Sequence, residues 1–126
     1  MEYISAEEFL KQPVEVQKVL IDWWQLSKGD LFSPICPIGI GVLNGTEHNS
    51  IKEDLIPLLT EGQLRQFIGD KTVYKLEITQ FEDGEWSLCL YKHGSRDIEI
   101  DDMDLLQAYW KVATEIAKES KANNCQ

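Results

Sequence analysis

The feature that most limits the fold is a pair of segments, residues 74–79 and 86–91, in which apolar and polar residues alternate. A period of two is typical of a β-strand with one face on a core. An Asp-Gly pair between the segments favours a tight turn. Together they predict an antiparallel hairpin around residues 72–92. Ile98 and Ile100 alternate with acidic residues and predict a short third strand.

Helical signals precede this sheet. Ser5 and Glu8 have capping-box spacing, so we expect a short helix after Ser5. That helix should end before Pro13, because the residue preceding a proline avoids the helical region. Pro13 suits the first turn of a second helix, which we expect to end near Gly29. The N-terminus is therefore predicted to be a helical hairpin.

Two more helices are predicted further along the chain. Thr60 and Gln63 repeat the capping-box spacing and predict a helix that ends at Gly69. Asp101 or Asp102 is expected to cap a final helix, whose broad apolar stripe should lie against the sheet. The predicted fold class is α+β. We expect one domain over residues 1–126, with an N-terminal helical hairpin, a small antiparallel sheet and a C-terminal helix packed on it.

The charge balance narrows the functions that such a domain can have. The chain has 126 residues, with 22 acidic against 12 basic side chains and a net charge of −10. Affinity for nucleic-acid phosphates and for anionic membranes comes from clustered Lys and Arg, so we expect neither as a direct partner. The N-terminus lacks the basic-then-apolar order of a signal peptide, which predicts a cytoplasmic protein.

The residues that usually carry chemistry are sparse. Three cysteines and two histidines occur without the spacing that zinc ligands or a catalytic motif need. We therefore expect a protein that is not an enzyme and that has no catalytic residues, metal or cofactor.

A run of acids and a tryptophan are the candidate contacts with a partner. The run comprises Asp97, Glu99, Asp101, Asp102 and Asp104. It is typical either of a solvated edge strand followed by a helix cap, or of an acidic face that docks on a basic surface. Trp24 follows Trp23 on the predicted helix by about 100°, which places it at the edge of the apolar face. There it would serve as a partly exposed interface anchor or cover the rim of the core.

Three stretches of the chain have a familiar combination of residues. They are YISAEEFL at 3–10 with DWW at 22–24, IPLLTEGQLRQFI at 56–68, and DLLQAYWKVA at 104–113. Together they resemble a family of small uncharacterised proteins encoded by phages and prophages of Gram-positive bacteria. The resemblance implies a phage accessory protein in the cytoplasm of the host cell, of a kind that blocks host defence or host enzymes by binding a protein or by sequestering a signalling nucleotide.

Three functional hypotheses follow. The first is an acidic binding protein that inhibits a host defence or nucleic-acid-handling protein, its partner being a host or phage protein with a basic surface. The alternative is a homo-oligomeric small-ligand binder, such as a nucleotide sponge. It would need Arg or Lys at an interface between subunits to offset the acidic field, and Arg65 and Arg96 are the only arginines in the chain. The least supported is a hydrolase built on His93 and nearby carboxylates.

Overall fold

The computed structural model describes residues 2–35, 39–47, 49–72, 75–92 and 95–124. Helices and antiparallel strands alternate along these ranges, which confirms the predicted α+β class. The chain forms two compact units. The N-terminal unit is Tyr3–Leu59, and the C-terminal unit comprises the chain from Thr60 onward together with Glu2.

The N-terminal unit begins with the predicted pair of helices, α1 (Ala6–Leu10) and α2 (Val14–Trp23). The Ser5 hydroxyl accepts a hydrogen bond from the Glu8 backbone N–H at 3.2 Å, as the capping-box spacing predicts. Pro13 lies at the N-cap of α2. Its missing N–H costs nothing there, since the first amides of a helix have no partner within the helix.

The end of α2 differs from the prediction. The helix stops at Trp23, because Trp24 adopts an extended conformation with φ −64° and ψ 123°. The expectation that the helix continues to Gly29 is therefore wrong. The break turns Trp24 away from the helical surface and into the core of the unit.

Trp24 is buried in that core. It is 1% exposed and clusters with Leu43 and Leu55. Its indole Nε1–H donates to the Asp30 Oδ2 at 3.0 Å, so the buried polar atom is satisfied. The expectation of a partly exposed Trp24 is wrong, and Trp23 is the half-buried member of the pair.

A small sheet completes the N-terminal unit. Its strands are β1 (Leu31–Pro34), β2 (Gly41–Val42) and β3 (Leu55–Pro57), all antiparallel, in the order β2-β1-β3. A 3₁₀ helix, Asn49–Asp54, leads into β3. The sequence favours short strands at Leu31 and Phe32 and over residues 38–42, and β1 and β2 lie there, whereas the pattern around β3 is ambiguous and the pairing of the three strands was not predicted.

The C-terminal unit starts with α3 (Glu61–Lys71). Both hydrogen bonds of the predicted capping box are present between Thr60 and Gln63. The helix runs through Gly69, where the sequence predicted its end. The buried side chains of the α3 face, Leu64 and Phe67 among them, explain this, since tertiary burial outweighs the low helix propensity of one glycine.

The predicted sheet follows, with β4 (Lys75–Gln80), β5 (Trp86–Lys92) and β6 (Ser95–Asp102) in the order β4-β5-β6. All neighbours are antiparallel. The predicted hairpin is confirmed, and the third strand is longer than expected. The last helix, α4 (Leu105–Asn124), packs on β5, β6 and α3. Leu88, Leu90 and Ile98 are buried on the apolar face of the sheet.

Candidate functional site

The acidic run extends from β6 to the start of α4. Asp97, Glu99 and Asp101 are exposed, whereas Ile98, which alternates with them, is 8% exposed. We call these three acids the acidic strand. The alternation arises because successive side chains of a strand point to opposite faces, so burying the isoleucine exposes its neighbours.

The neighbouring strands extend the polar face on which Glu99 lies. In the register of the sheet, Glu99 lies opposite Cys89, and Cys89 lies opposite Glu77 on β4. Cys89 is 9% exposed, and its Sγ lies 3.7 Å from the Oγ of the buried Ser87. A buried thiol therefore separates Glu99 on one edge strand from Glu77 on the other.

Asp102 has a structural role. Its Oδ2 accepts a hydrogen bond from the Lys111 Nζ at 2.6 Å, and its Oδ1 accepts one from the Asp104 backbone N–H at 2.9 Å. The hydrogen bond from Lys111, followed by that from the Asp104 amide, holds the pKa of the Asp102 carboxyl below its ordinary value. This carboxylate ties the end of β6 to α4.

Asp104 also has a structural role. Its Oδ1 accepts a hydrogen bond from the Gln107 backbone N–H at 3.0 Å, and its carbonyl accepts one from Ala108 at 3.0 Å. The first bond satisfies an amide of the first turn that has no backbone partner within the helix, and the second is the first backbone hydrogen bond of α4. Asp104 is thus the cap of α4, and the expectation of Asp101 or Asp102 as the cap is wrong. The reason is that β6 continues to Asp102.

The structure divides the predicted contact residues into two groups. Asp97, Glu99 and Asp101 lie on the exposed strand, whereas Asp102 and Asp104 bind neighbouring parts of the chain. Trp24 lies in the core of the N-terminal unit, away from any surface. Sequence reasoning missed Lys111 as the partner of Asp102, and no local pattern marks a pair nine residues apart.

Arg65 is one of the two arginines considered for the alternative hypothesis, a binder of a small anionic ligand. Its Nη2 lies 3.3 Å from the Glu61 Oε1, and its guanidinium lies 5.9 Å from the ring centroid of Tyr109. Burial raises the pKa of the Tyr109 hydroxyl. Arg65 and Glu61 line an open groove of about 410 Å³ beside Leu106. Because the groove holds a carboxylate beside its guanidinium, it does not favour a nucleotide phosphate.

Arg96 and His93 were the other predicted candidates. Arg96 lies in β6, opposite Tyr91 of β5. His93 lies outside the described residues. In the ranges that the structure covers, no group of three or more His, Cys, Asp or Glu residues is placed to bind a metal ion. Over those same ranges, no helix is both long enough and apolar enough to span a bilayer.

In a comparison with known proteins, no family model, curated protein or solved structure matches this chain.

Proposed function

We propose that this protein is a non-enzymatic binding protein whose acidic strand docks on a basic surface of another protein. The observation that supports it is the exposure of three carboxylates, those of Asp97, Glu99 and Asp101, on one edge strand of a packed sheet. In line with the phage-protein resemblance, the proposed partner is a host defence or nucleic-acid-handling protein with a cationic face.

The charges of β6 and the net charge of the whole chain both favour a cationic partner. Alternate residues of a strand lie roughly 7 Å apart, so Glu99 and Asp101 present closely spaced negative charges, and Asp97 adds a third where the register with β5 shifts. The net charge of −10 adds a long-range field of the same sign. Such a field accelerates association with a cationic surface and repels acidic competitors.

The rigidity of the support also favours this role. β6 pairs with β5 along Ser95–Asp102 and packs against α4, so its side chains project from an ordered element. Partners that meet a preorganised surface lose less conformational entropy on binding than partners that meet a flexible one. The Asp102–Lys111 and Asp104 contacts fix the end of this strand and thereby support the acidic strand without being part of it.

The experiment compares two variants of equal net charge. The first reverses the acidic strand (D97K/E99K/D101K), and the control reverses three exposed acids of the N-terminal unit (E15K/D22K/D54K). Each change takes the net charge from −10 to −4, because three carboxylates become ammonium groups. Proteins captured from a Gram-positive host lysate by the immobilised chain are quantified by mass spectrometry.

We expect one basic protein to be enriched by the parent chain and by the control variant, and to be lost with the acidic-strand variant. Equal loss of this protein with both variants would show that capture depends on net charge alone, which would contradict a defined docking surface. Retention by the acidic-strand variant would contradict the proposal altogether.

A further inference from the structure

The turn that follows β2 in the N-terminal unit places an asparagine before a glycine. Asn44, Gly45 and Thr46 are all exposed to solvent. Gly45 has a φ of +95°, a backbone conformation that favours glycine. Because glycine has no side chain, its backbone nitrogen is open to close approach by the side chain of Asn44. The hydrogen bonds of the turn therefore decide how these two groups meet.

Two donors hold the side-chain carbonyl of Asn44. Its Oδ1 accepts a hydrogen bond from the Thr46 backbone N–H at 2.9 Å and another from the Thr46 hydroxyl at 2.6 Å. The first bond closes an Asx-turn, which folds the side-chain carbonyl back over the peptide group that joins Asn44 to Gly45. Donors this close stabilise the negative charge that develops on a carbonyl oxygen during nucleophilic attack. Thr46 therefore activates the Asn44 Cγ toward a nucleophile.

The backbone nitrogen of Gly45 has a carboxylate beside its proton. Its N–H donates to the Glu47 Oε1 at 3.0 Å, and the Asn44 N–H donates to the Oε2 of the same carboxylate at 3.0 Å. Backbone hydrogen bonds, that from Asn44 first, hold the pKa of the Glu47 carboxyl below its ordinary value, so the group is ionised at neutral pH. A base within hydrogen-bond distance of the proton that it removes has the geometry of a general base.

The amide nitrogen of Asn44, Nδ2, is placed to leave. Within the ranges that the structure describes, the hydrogen bonds of the Asn44 side chain all go to Oδ1, and Nδ2 makes none. The side chain is exposed, so ammonia can depart into solvent and water can reach the carbon that it leaves. The turn thus holds the carbonyl and the nucleophile but leaves the departing group free.

From these contacts, we infer that Asn44 is a self-modifying site, at which the turn catalyses the deamidation of its own asparagine. The Gly45 nitrogen attacks the Asn44 Cγ while Glu47 takes its proton, and the negative charge forms on Oδ1 against the donors of Thr46. The Cγ–Nδ2 bond then breaks, and Nδ2 leaves as ammonia with the proton from Glu47, which closes a succinimide. Water adds across one of the two imide C–N bonds and leaves an aspartyl or isoaspartyl residue at position 44.

The product strains the edge of the N-terminal core. Leu43, just before the turn, is 2% exposed; its N–H donates to the Asp30 carbonyl at 2.9 Å, and its carbonyl accepts from the Gly29 N–H at 2.9 Å. A new carboxylate at position 44 is repelled by that of Glu47, and an isoaspartyl linkage lengthens the main chain by a methylene group. The reaction therefore links the state of this unit to the age of the chain, independently of the acidic strand.

Mass spectrometry of the folded full chain, incubated at neutral pH and physiological temperature, measures the rate. Deamidation replaces an NH₂ group by OH, and chromatography of the digest separates the aspartyl from the isoaspartyl product. The reference is a synthetic peptide of residues 41–47, whose turn no fold holds in place. We expect Asn44 to react at least about tenfold faster in the folded chain, because its reacting groups are already oriented. An equal or slower rate in the folded chain would overturn the inference.

Paired variants assign the roles within the turn. Glu47→Gln keeps an acceptor oxygen but not the base, so we expect the rate to fall at least about tenfold. Glu15→Gln, at an exposed site on α2, makes the same change in net charge and should leave the rate unchanged. Thr46→Val removes the hydroxyl donor and should slow the reaction at least about threefold, whereas Thr46→Ser keeps the donor and the parent rate.

Two results for these variants would contradict the inference. One is an unchanged or faster rate in Glu47→Gln, since the carboxylate would then be inert or protective. The other is the same rate in the two Thr46 variants, which decides the matter even where Glu47→Gln fails to fold by circular dichroism.

Discussion

Replacing Asp104 by alanine tests whether the acidic run is divided between structure and surface. The substitution removes the carboxylate that accepts the Gln107 backbone N–H at 3.0 Å at the start of α4. Loss of an N-cap side chain costs about 1 kcal/mol, and loss of a negative charge at a helix N-terminus adds roughly 0.3–1 kcal/mol. We therefore expect the free energy of unfolding to fall by about 1–2 kcal/mol.

Urea unfolding, followed by far-UV circular dichroism, measures this change. With a slope of about 2 kcal/mol per molar urea, the midpoint should fall by roughly 0.5–1 M. Asp104→Asn keeps a capping oxygen, so its midpoint should fall by less. Asp101→Ala, on the exposed strand, should stay within about 0.5 kcal/mol of the parent stability. Equal midpoints for the Asp104 and Asp101 alanine variants would refute the division, as would unchanged hydrogen exchange of the Gln107 amide in Asp104→Ala.

Three further substitutions test individual contacts. Asp102→Asn should lower stability at pH 7 by about 0.5–1 kcal/mol, because its ion pair with Lys111 is partly exposed. Since folding lowers the pKa of Asp102, this difference from the parent should begin to shrink as the pH falls below the unfolded-state pKa of about 4. It should vanish only below the lowered folded-state pKa, and unfolding at a series of pH values measures this. Trp24→Ala should lower the free energy of unfolding, measured in urea, by about 3–5 kcal/mol, because the indole is buried in the core. An almost unchanged free energy would contradict this and indicate an exposed side chain. Gly69→Ala, at an exposed helical site with nothing within 4 Å of the added methyl group, should raise the melting temperature through about 0.5–1 kcal/mol of added stability. A lower melting temperature would contradict the helix through Gly69.

The elements that the sequence predicted are those set by local pattern. The β4–β5 hairpin follows from alternation and an Asp-Gly turn, and the starts of α1 and α3 follow from capping boxes. The end of α2 was not predicted from the sequence. The expected position of Trp24 assumed that the helix continues past Trp23, and the helix ends there. The pairing of the N-terminal sheet was not predicted, because its strands have two to four residues, too few for a period that fixes a register.

For the candidate site too, the sequence predicted the features that depend on local pattern and not those that depend on tertiary contacts. Alternation with Ile98 was enough to predict exposed acids on β6. The structural role of Asp102 depends on Lys111, nine residues further along, and that of Asp104 depends on where β6 ends. Both are set by how the strand meets α4, a tertiary feature that no local pattern encodes.

The association rate constant between this protein and the captured basic partner, measured by stopped-flow at low and at physiological salt, tests docking through the acidic strand. We expect fast association that slows as salt screens the charges, for both the parent chain and the E15K/D22K/D54K control. For D97K/E99K/D101K we expect slower association with a weaker salt dependence. The same rate constant and salt dependence for both variants would contradict the acidic strand as the docking surface.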